Sequence, residues 1–463
     1  MSRILLLNPP GQRMYIRDYY CSKVSKSNYL FQPIDLVMLS GILHKDHQLT
    51  VVDAIADRLS SRDCLEKIAV YRPDIVISLI GAVSLNEDLP FLAQVAGQGC
   101  RVFVSGDSCR EKPADWLAEN QFIEAVIVDF TSEAILDYLA GKLTGTGIVV
   151  QQTGAADTPL PLPEEFSLLP RHELFTSKNY RFPFVRHRNF ATVMTDYGCP
   201  FSCSFCIMAT LTYRFRPVTD IIAELGCLKQ LGKRELFFMD QTFGSRRENA
   251  LELCRQMTSR QFGFGWVCFS RVDVVDKELL AEMKRAGCHT IIFGVESASE
   301  EILKKYRKGY TRQQIKDAFS LAAEQGVRTV ATFILGLPDE TETTAAETIE
   351  FLKELACDFV SFNIAVPRPG TPLRDEAIAA GLILPELAVM DQTGSTVAMP
   401  SRYLSRERIQ ELRVKVVKDF YLRPSYIWRR LCNIKSLYEF REQVYEGAVL
   451  LREVLLKKGS YRE

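Results

Sequence analysis

The sequence predicts an α/β protein with three parts: a doubly wound parallel sheet, a partial (β/α)6 barrel, and a helical C-terminal region. Three observations carry this. Short apolar runs alternate with amphipathic stretches over residues 1–150. A proline cluster (Pro159, Pro161, Pro163 and Pro170) then breaks regular structure, and from Ala191 the alternation resumes for six units. Strands alternating with helices indicate parallel sheets. At 463 residues the chain is long for one core. The expected division is 1–150, a linker over 151–190, a barrel over 191–385 and a helical region over 386–463.

In the first unit, β-rich apolar runs place strands at Arg3–Leu7, Leu49–Val52, Ile75–Leu79, Val102–Val104 and Ala125–Val128. Helical spacing falls between them near Ile34–His44, Ser61–Val70, Asn86–Gly97 and Lys112–Asn120. The second unit offers strands at Ala191–Thr195, Glu235–Asp240, Phe264–Arg271, Thr290–Val295, Arg328–Leu335 and Phe359–Val366. Its helices sit near Thr219–Leu231, Arg246–Arg260, Asp276–Ala286, Thr311–Gln325 and Glu342–Leu355. Six such units form less than the complete eight-stranded barrel, whose chemistry sits at the carboxyl ends of its strands. Beyond Asp375 the strand signal fades, and Arg406–Leu422 and Leu437–Lys457 show helical periodicity.

Composition excludes several classes. The 57 basic and 57 acidic residues balance, so no global field draws the chain to nucleic acid or an anionic membrane. No apolar stretch approaches the length of a membrane span, and the opening Ile4–Leu7 run is too short for a signal peptide. Thirteen cysteines without paired spacing fit a reducing cytoplasm better than a disulfide framework. The basic excess after residue 400 reads as a solvated helical face.

The chemistry is carried by Cys199, Cys203 and Cys206, spaced C-x3-C-x2-C with Phe205 just before the last. Thiolates this close can turn toward one soft metal centre, and iron–sulfur clusters are held by such thiolates. The alternatives are ordinary buried thiols and a structural zinc site, which usually wants four ligands. No fourth local cysteine follows, and His187 is poorly placed to complete a set. A cube-shaped cluster would therefore keep one iron open.

At these residues the chain resembles the radical S-adenosylmethionine (SAM) superfamily. The resemblance implies a [4Fe-4S] cluster on Cys199, Cys203 and Cys206, with SAM chelated at the open iron and cleaved reductively to a 5′-deoxyadenosyl radical. It also implies a reducing partner such as a flavodoxin or ferredoxin. Further segments match the superfamily at strand ends. Met239 and Asp240 end the second strand, where the family meets the SAM amino group. Ser270 and Arg271 end the third, as contacts to the SAM carboxylate or ribose. Glu296, in Gly294-Val295-Glu296-Ser297, suits ribose hydroxyls, and Gly336 lies in the run beside adenine. The sixth strand ends in Pro367-Arg368-Pro369-Gly370-Thr371-Pro372, which is similar to a run in the branch that includes cobalamin-dependent enzymes.

A parallel sheet ahead of such a barrel resembles the cobalamin (B12)-binding subfamily, with Leu5–Pro10 and Ile34–Gly41 as its usual first strand and helix. Its usual double glycine is Ser105-Gly106 in this chain, and its Gly-Glu-Gly-Glu is Phe130-Thr131-Ser132-Glu133. No histidine ligand for cobalt follows the first strand. His44 and His47 read as surface residues, and Cys21, in the loop Tyr19-Tyr20-Cys21-Ser22-Lys23, as a loop cysteine, with a place facing the corrin or the substrate as the alternative. The resemblance implies a cobalamin-dependent methyltransferase acting on an unactivated carbon of a small molecule, lipid or natural product. The alternative is a cobalamin-independent radical SAM cyclase, oxidase or rearrangement enzyme with a relic domain.

Overall fold

The computed structural model describes residues 1–25, 29–142, 146–151, 162–387, 391 and 397–432, together with 440, 441, 444, 445, 447 and 448. The N-terminal sheet has six strands: Arg3–Asn8, Gln48–Asp53, Ile75–Ile80, Arg101–Gly106, Ala125–Ile127 and Ile148–Val150. Their spatial order is second, first, third, fourth, fifth, sixth. The first five run parallel and the sixth is antiparallel. All six residues of the third strand are buried, as expected for a parallel strand covered on both faces. The sixth strand was not legible as a strand, because three residues at the sheet edge carry too little pattern.

Helix Ile34–Leu43 is buried along its whole length rather than on one stripe. The segment after the prolines passes over it. A Cβ on Gly41 would meet the Leu169 backbone at 2.9 Å, and Arg171 N donates to Ser40 Oγ at 2.9 Å. The connecting residues are thus part of the core, with Phe166, Leu168, Phe175, Tyr180, Phe182 and Val185 all buried. His172 anchors the same segment, its Nε2 lying 2.5 Å from Glu224 Oε1, and Arg216 closes on the other oxygen at 2.6 Å.

The second unit is a six-stranded parallel sheet in strict sequence order: Phe190–Val193, Glu235–Phe238, Gly265–Ser270, Cys288–Glu296, Arg328–Leu335 and Phe359–Ile364. Each strand pairs only with its sequence neighbours, so the sheet curls without closing, the predicted partial barrel. Helices Val218–Gln230, Arg247–Ser259, Lys277–Arg285, Arg312–Glu324 and Glu342–Phe351 cover its outside. The last three start on side-chain caps: Asp276 accepts from Leu279 N, and Thr311 and Thr341 form capping boxes with Gln314 and Thr344.

The open side of the first barrel strand is sealed by the N-terminal unit. Gln32 Nε2 donates to Phe190 O at 3.0 Å, and Gln32 Oε1 accepts from Thr192 N at 3.2 Å. Helix Arg406–Tyr421 packs on the last strand, where Tyr421 Oη accepts from Val360 N and donates to Val360 O. It belongs to the barrel core through Ile409, Leu412, Val416 and Phe420. Most of the helix expected at Leu437–Lys457 lies outside the described residues. A single apolar cluster runs from Tyr19 and Phe130 of the N-terminal unit to Phe182, Tyr197 and Phe237.

Candidate active site

The cysteine loop leaves the carboxyl end of the first barrel strand through Asp196–Tyr197, which pairs antiparallel with Arg214–Phe215 beyond the loop. Gly198 sits at φ +76°, and a Cβ there would meet Thr212 O at 3.0 Å, so the turn into Cys199 requires glycine. Inside the loop Cys206 N donates to Cys203 O, and Ser204 is bound through both backbone groups to Tyr306 O and Leu373 N. The thiols of Cys199, Cys203 and Cys206 line one cavity of about 310 Å³.

The opposite wall comes from successive strand ends. Arg271 ends the third strand and donates to Cys203 Sγ at 3.4 Å, to both Asp273 oxygens at 2.9 and 2.7 Å, and to Lys308 O at 2.5 Å. Its guanidinium lies 3.8 Å over the Phe201 ring. Glu296 ends the fourth strand at a bulge, in the left-handed region at φ +64°. Its carboxylate folds back over Gly294, where a Cβ would come within 2.6 Å of it, and pairs with Lys308 Nζ at 3.0 Å. Burial alone would lower the Lys308 ammonium, but Tyr310 and Glu296 beside it carry its pKa above the ordinary value. Arg271 and Lys308 therefore face the three thiols of the loop, and Lys23 and Arg368 line the same cavity.

Of the residues named from sequence, Phe205, Met239, Ser270, Arg271 and Glu296 line this cavity with the three cysteines. Ser270 Oγ donates to Phe243 O and keeps its lone pairs for a ligand. Two of the named residues lie elsewhere. Asp240 is not among the lining residues: its carboxylate accepts from Thr195 N at 2.5 Å, Thr195 Oγ1 at 2.9 Å and Asp196 N at 3.1 Å, which ties the second strand to the start of the cysteine loop. Gly336 also lies off the cavity. Its N–H donates to Glu340, its φ is +84°, and a Cβ would press on Ile409.

Sequence reasoning missed Lys308, which sits in a short loop between two left-handed residues, Arg307 and Gly309. No motif flags a lysine there. It also left Asp18 unnamed and preferred an ordinary loop place for Cys21 over one facing a ligand, yet Asp18, Cys21 and Lys23 all line the same cavity. They arrive on the N-terminal segment between the short strands Tyr15–Ile16 and Lys23–Val24.

The donor set fits a cluster. Among the described residues no His, Cys, Asp or Glu group is drawn together tightly enough to hold a metal ion as it stands. The three thiols nevertheless share one loop and one cavity wall. Burial, and then the neighbouring Cys203 and Cys199, push the Cys206 thiol up to about 12. A metal deprotonates its ligating thiols outright, and Arg271 and Lys308 are placed to balance the resulting charge. The cavity beside them also fits a polar nucleoside: it is concave, walled by Phe205, Phe269 and Ile292, and provided with Glu296, Ser270 and Arg271 as polar fixings.

A corrin is a different matter. Doubly wound sheets bind ligands outside the carboxyl ends of their strands, at the switch point. That crevice, between the first and third strands, is taken up by the segment carrying Arg17, bonded to Asn8 and Pro9 O, and Ser22, which lies where a Cβ on Gly81 would stand. As folded, its residues do not fit a corrin.

Comparison with known proteins agrees with this geometry. Residues 194–352 match the model of the Radical SAM superfamily. An uncharacterized methyltransferase of Pyrococcus horikoshii is 30% identical over 434 residues, covering 90% of this chain and 92% of that protein. The anaerobic magnesium-protoporphyrin IX monomethyl ester cyclase of Cereibacter sphaeroides is 26% identical, over 82% of this chain and 65% of the relative. Among solved structures, the radical SAM methyltransferase TsrM of Kitasatospora setae, with cobalamin and a [4Fe-4S] cluster bound, has a TM-score of 0.68 at 18% identity. The match covers 97% of this chain and 99% of that one. The cobalamin-dependent SAM radical enzyme OxsB matches with a TM-score of 0.68 at 16% identity, over 100% of this chain and 74% of its own. The shared fold includes both the sheet and the partial barrel.

Proposed function

The chain belongs to the radical SAM superfamily, and from that premise we propose that it is a methyltransferase that cleaves SAM reductively and methylates an unactivated carbon. A [4Fe-4S] cluster on Cys199, Cys203 and Cys206 would supply the electron for SAM cleavage. The observation that carries the reading is the position of these three thiols: they stand at the carboxyl end of the first barrel strand, across one cavity from Arg271, Glu296 and Lys308.

Each residue has work the geometry supports. Arg271 holds positive charge against the Cys203 sulfur. Glu296, fixed by Lys308, presents a carboxylate for ribose hydroxyls. Ser270 offers acceptor capacity beside them, and Phe205 closes the side next to the cysteines. The apolar wall excludes water, which protects a radical from side reactions.

The Pyrococcus relative and the TsrM and OxsB folds support methyl transfer with cobalamin as the methyl carrier. The filled crevice favours a second reading, the same cluster chemistry without cobalamin. Reductive cleavage needs an external electron donor, and a flavodoxin or ferredoxin is the proposed one. Among the described residues no helix is long and apolar enough to cross a membrane. All thirteen cysteines are free thiols, which supports a reducing compartment. The substrate class, a small molecule, lipid or natural product, follows the relatives.

The test is Cys206→Ser in anaerobically reconstituted protein, measuring iron per chain and 5′-deoxyadenosine formed under reductant. The proposal expects about four irons per chain in the unmodified protein, as one [4Fe-4S] cluster requires, with SAM cleavage lost in the variant. Cleavage at an unchanged rate in the variant would sink it.

A further inference from the structure

The N-terminal crevice is not an empty site closed by chance; it is a site with an internal occupant. Arg17 lies at the switch point with no exposed side-chain surface, paired with an equally buried Asp88 at 2.8 Å. All five of its N–H groups are engaged, by Asp88, Ser84, Asn8 and the carbonyls of Pro9 and Pro10. Ser22 is bound to Asp107, beyond the fourth strand, through both its N and its Oγ, at 2.9 and 2.6 Å. Gly81 ends the third strand, where glycine lets a ligand approach the backbone. The space a Cβ would take there is already held by Ser22 Cβ, at 2.7 Å.

Between these anchors two consecutive tyrosines fill the volume. Tyr19 and Tyr20 pack on Phe130 at ring-centroid distances of 5.4 and 5.7 Å, and Tyr20 Oη donates to Val128 O at 2.8 Å. Phe130 stands where the resemblance leads one to expect glycine, and it is fully buried. Both tyrosines sit in the left-handed region, at φ +48° and +56°. Such backbone persists only where its surroundings over-determine it, and it is common in switch segments. At the end of the fourth strand, Ser105 Oγ and Ser108 Oγ are buried without a partner among the described residues.

We propose that residues 15–24 are a built-in occupant of this crevice, and that a corrin can bind the N-terminal sheet only by displacing them. This deepens the proposed function and rests on it for the identity of the incoming ligand. In the displaced state the glycine floor at Gly81 is exposed and the Ser105 and Ser108 hydroxyls gain a possible partner. The same movement withdraws Asp18, Cys21 and Lys23 from the cavity at the cluster, so the two sites are linked through one segment.

The experiment uses the full chain, reconstituted anaerobically with its cluster and titrated with hydroxocobalamin followed by difference absorbance. Hydrogen–deuterium exchange is read on peptides from residues 13–25. Tyr20→Ala with Phe130→Gly removes the plug, and Ser22→Ala loosens a staple without touching the core. The proposal expects at least a tenfold gain in cobalamin affinity in the double variant, a smaller gain in Ser22→Ala, and faster exchange over 13–25 when cobalamin binds the unmodified protein. Equal affinity in all three proteins, no binding by any, or binding with residues 13–25 as protected as before overturns it. Iron content and SAM cleavage on the same samples report separately on the proposed function.

Discussion

Arg271 should set the reduction potential of the cluster. Its NH1 lies 3.4 Å from Cys203 Sγ, and the arginine side chain is only 6% exposed, so solvent screens the contact little. Arg271→Met removes a hydrogen bond from a charged donor, a contact worth about 1.5–3 kcal/mol. The contact favours the reduced cluster, which carries the extra negative charge. At 59 mV per tenfold change for one electron, its loss moves the potential down by at most about 65–130 mV, the full figure being reached when the contact stabilises the reduced cluster alone. Arg271→Lys keeps the charge but loses the planar fork that also holds Asp273, and should fall between. The assay is a redox titration of reconstituted protein, followed by the electron paramagnetic resonance signal of the reduced cluster. A potential in Arg271→Met within about 20 mV of the unmodified protein, with iron retained, refutes the reasoning, because so small a shift is well under one tenfold step.

Three other outcomes follow from buried titratable groups. Burial holds His289 down at about 4 against the pull of Glu235, so the folded protein resists its protonation. Stability should fall as pH drops from 6.5 toward 4, by about 3 kcal/mol, and urea titrations of His289→Gln should lack this component. Burial pushes Glu340 up to about 8, opposed by the Gly336 N–H. Its contribution is full in acid and lost as pH rises from the ordinary carboxylate range through 8, so Glu340→Gln should stabilise by on the order of 2–4 kcal/mol at pH 8 and by nothing measurable at pH 4. Glu224→Gln leaves Arg216 and His172 without their shared, fully buried carboxylate and should cost about 3–5 kcal/mol in chemical denaturation. An effect under about 1 kcal/mol would mean the network is replaceable by neutral hydrogen bonds.

The fold was largely legible because its elements are long and periodic. The apolar runs at Ile75 and Arg328 and the amphipathic helices between them need no tertiary information to be recognised. The cysteines, Arg271 and Glu296 were legible because a spacing or a strand end marks them. Asp240 and Gly336 lie off the cavity lining for a physical reason. A strand end has two sides, and sequence does not tell a carboxylate that binds a ligand from one that ties down its own loop. Lys308 and Asp18 were invisible because each reaches the cavity from a loop whose path is set by packing. The occupied crevice was only half visible. Phe130 announced that a glycine was gone, but not that Tyr19 and Tyr20 had taken the room.

The seal made by Gln32 has a consequence for inheritance. A parallel sheet that does not close ends in an unpaired edge, and such edges recruit other chains. In this protein the N-terminal unit supplies the amide that covers Phe190 and Thr192. A descendant that dropped the first 150 residues would expose that edge and aggregate, whatever its catalytic needs. The N-terminal unit is therefore kept by solubility as well as by chemistry, and it can lose a ligand without being free to leave.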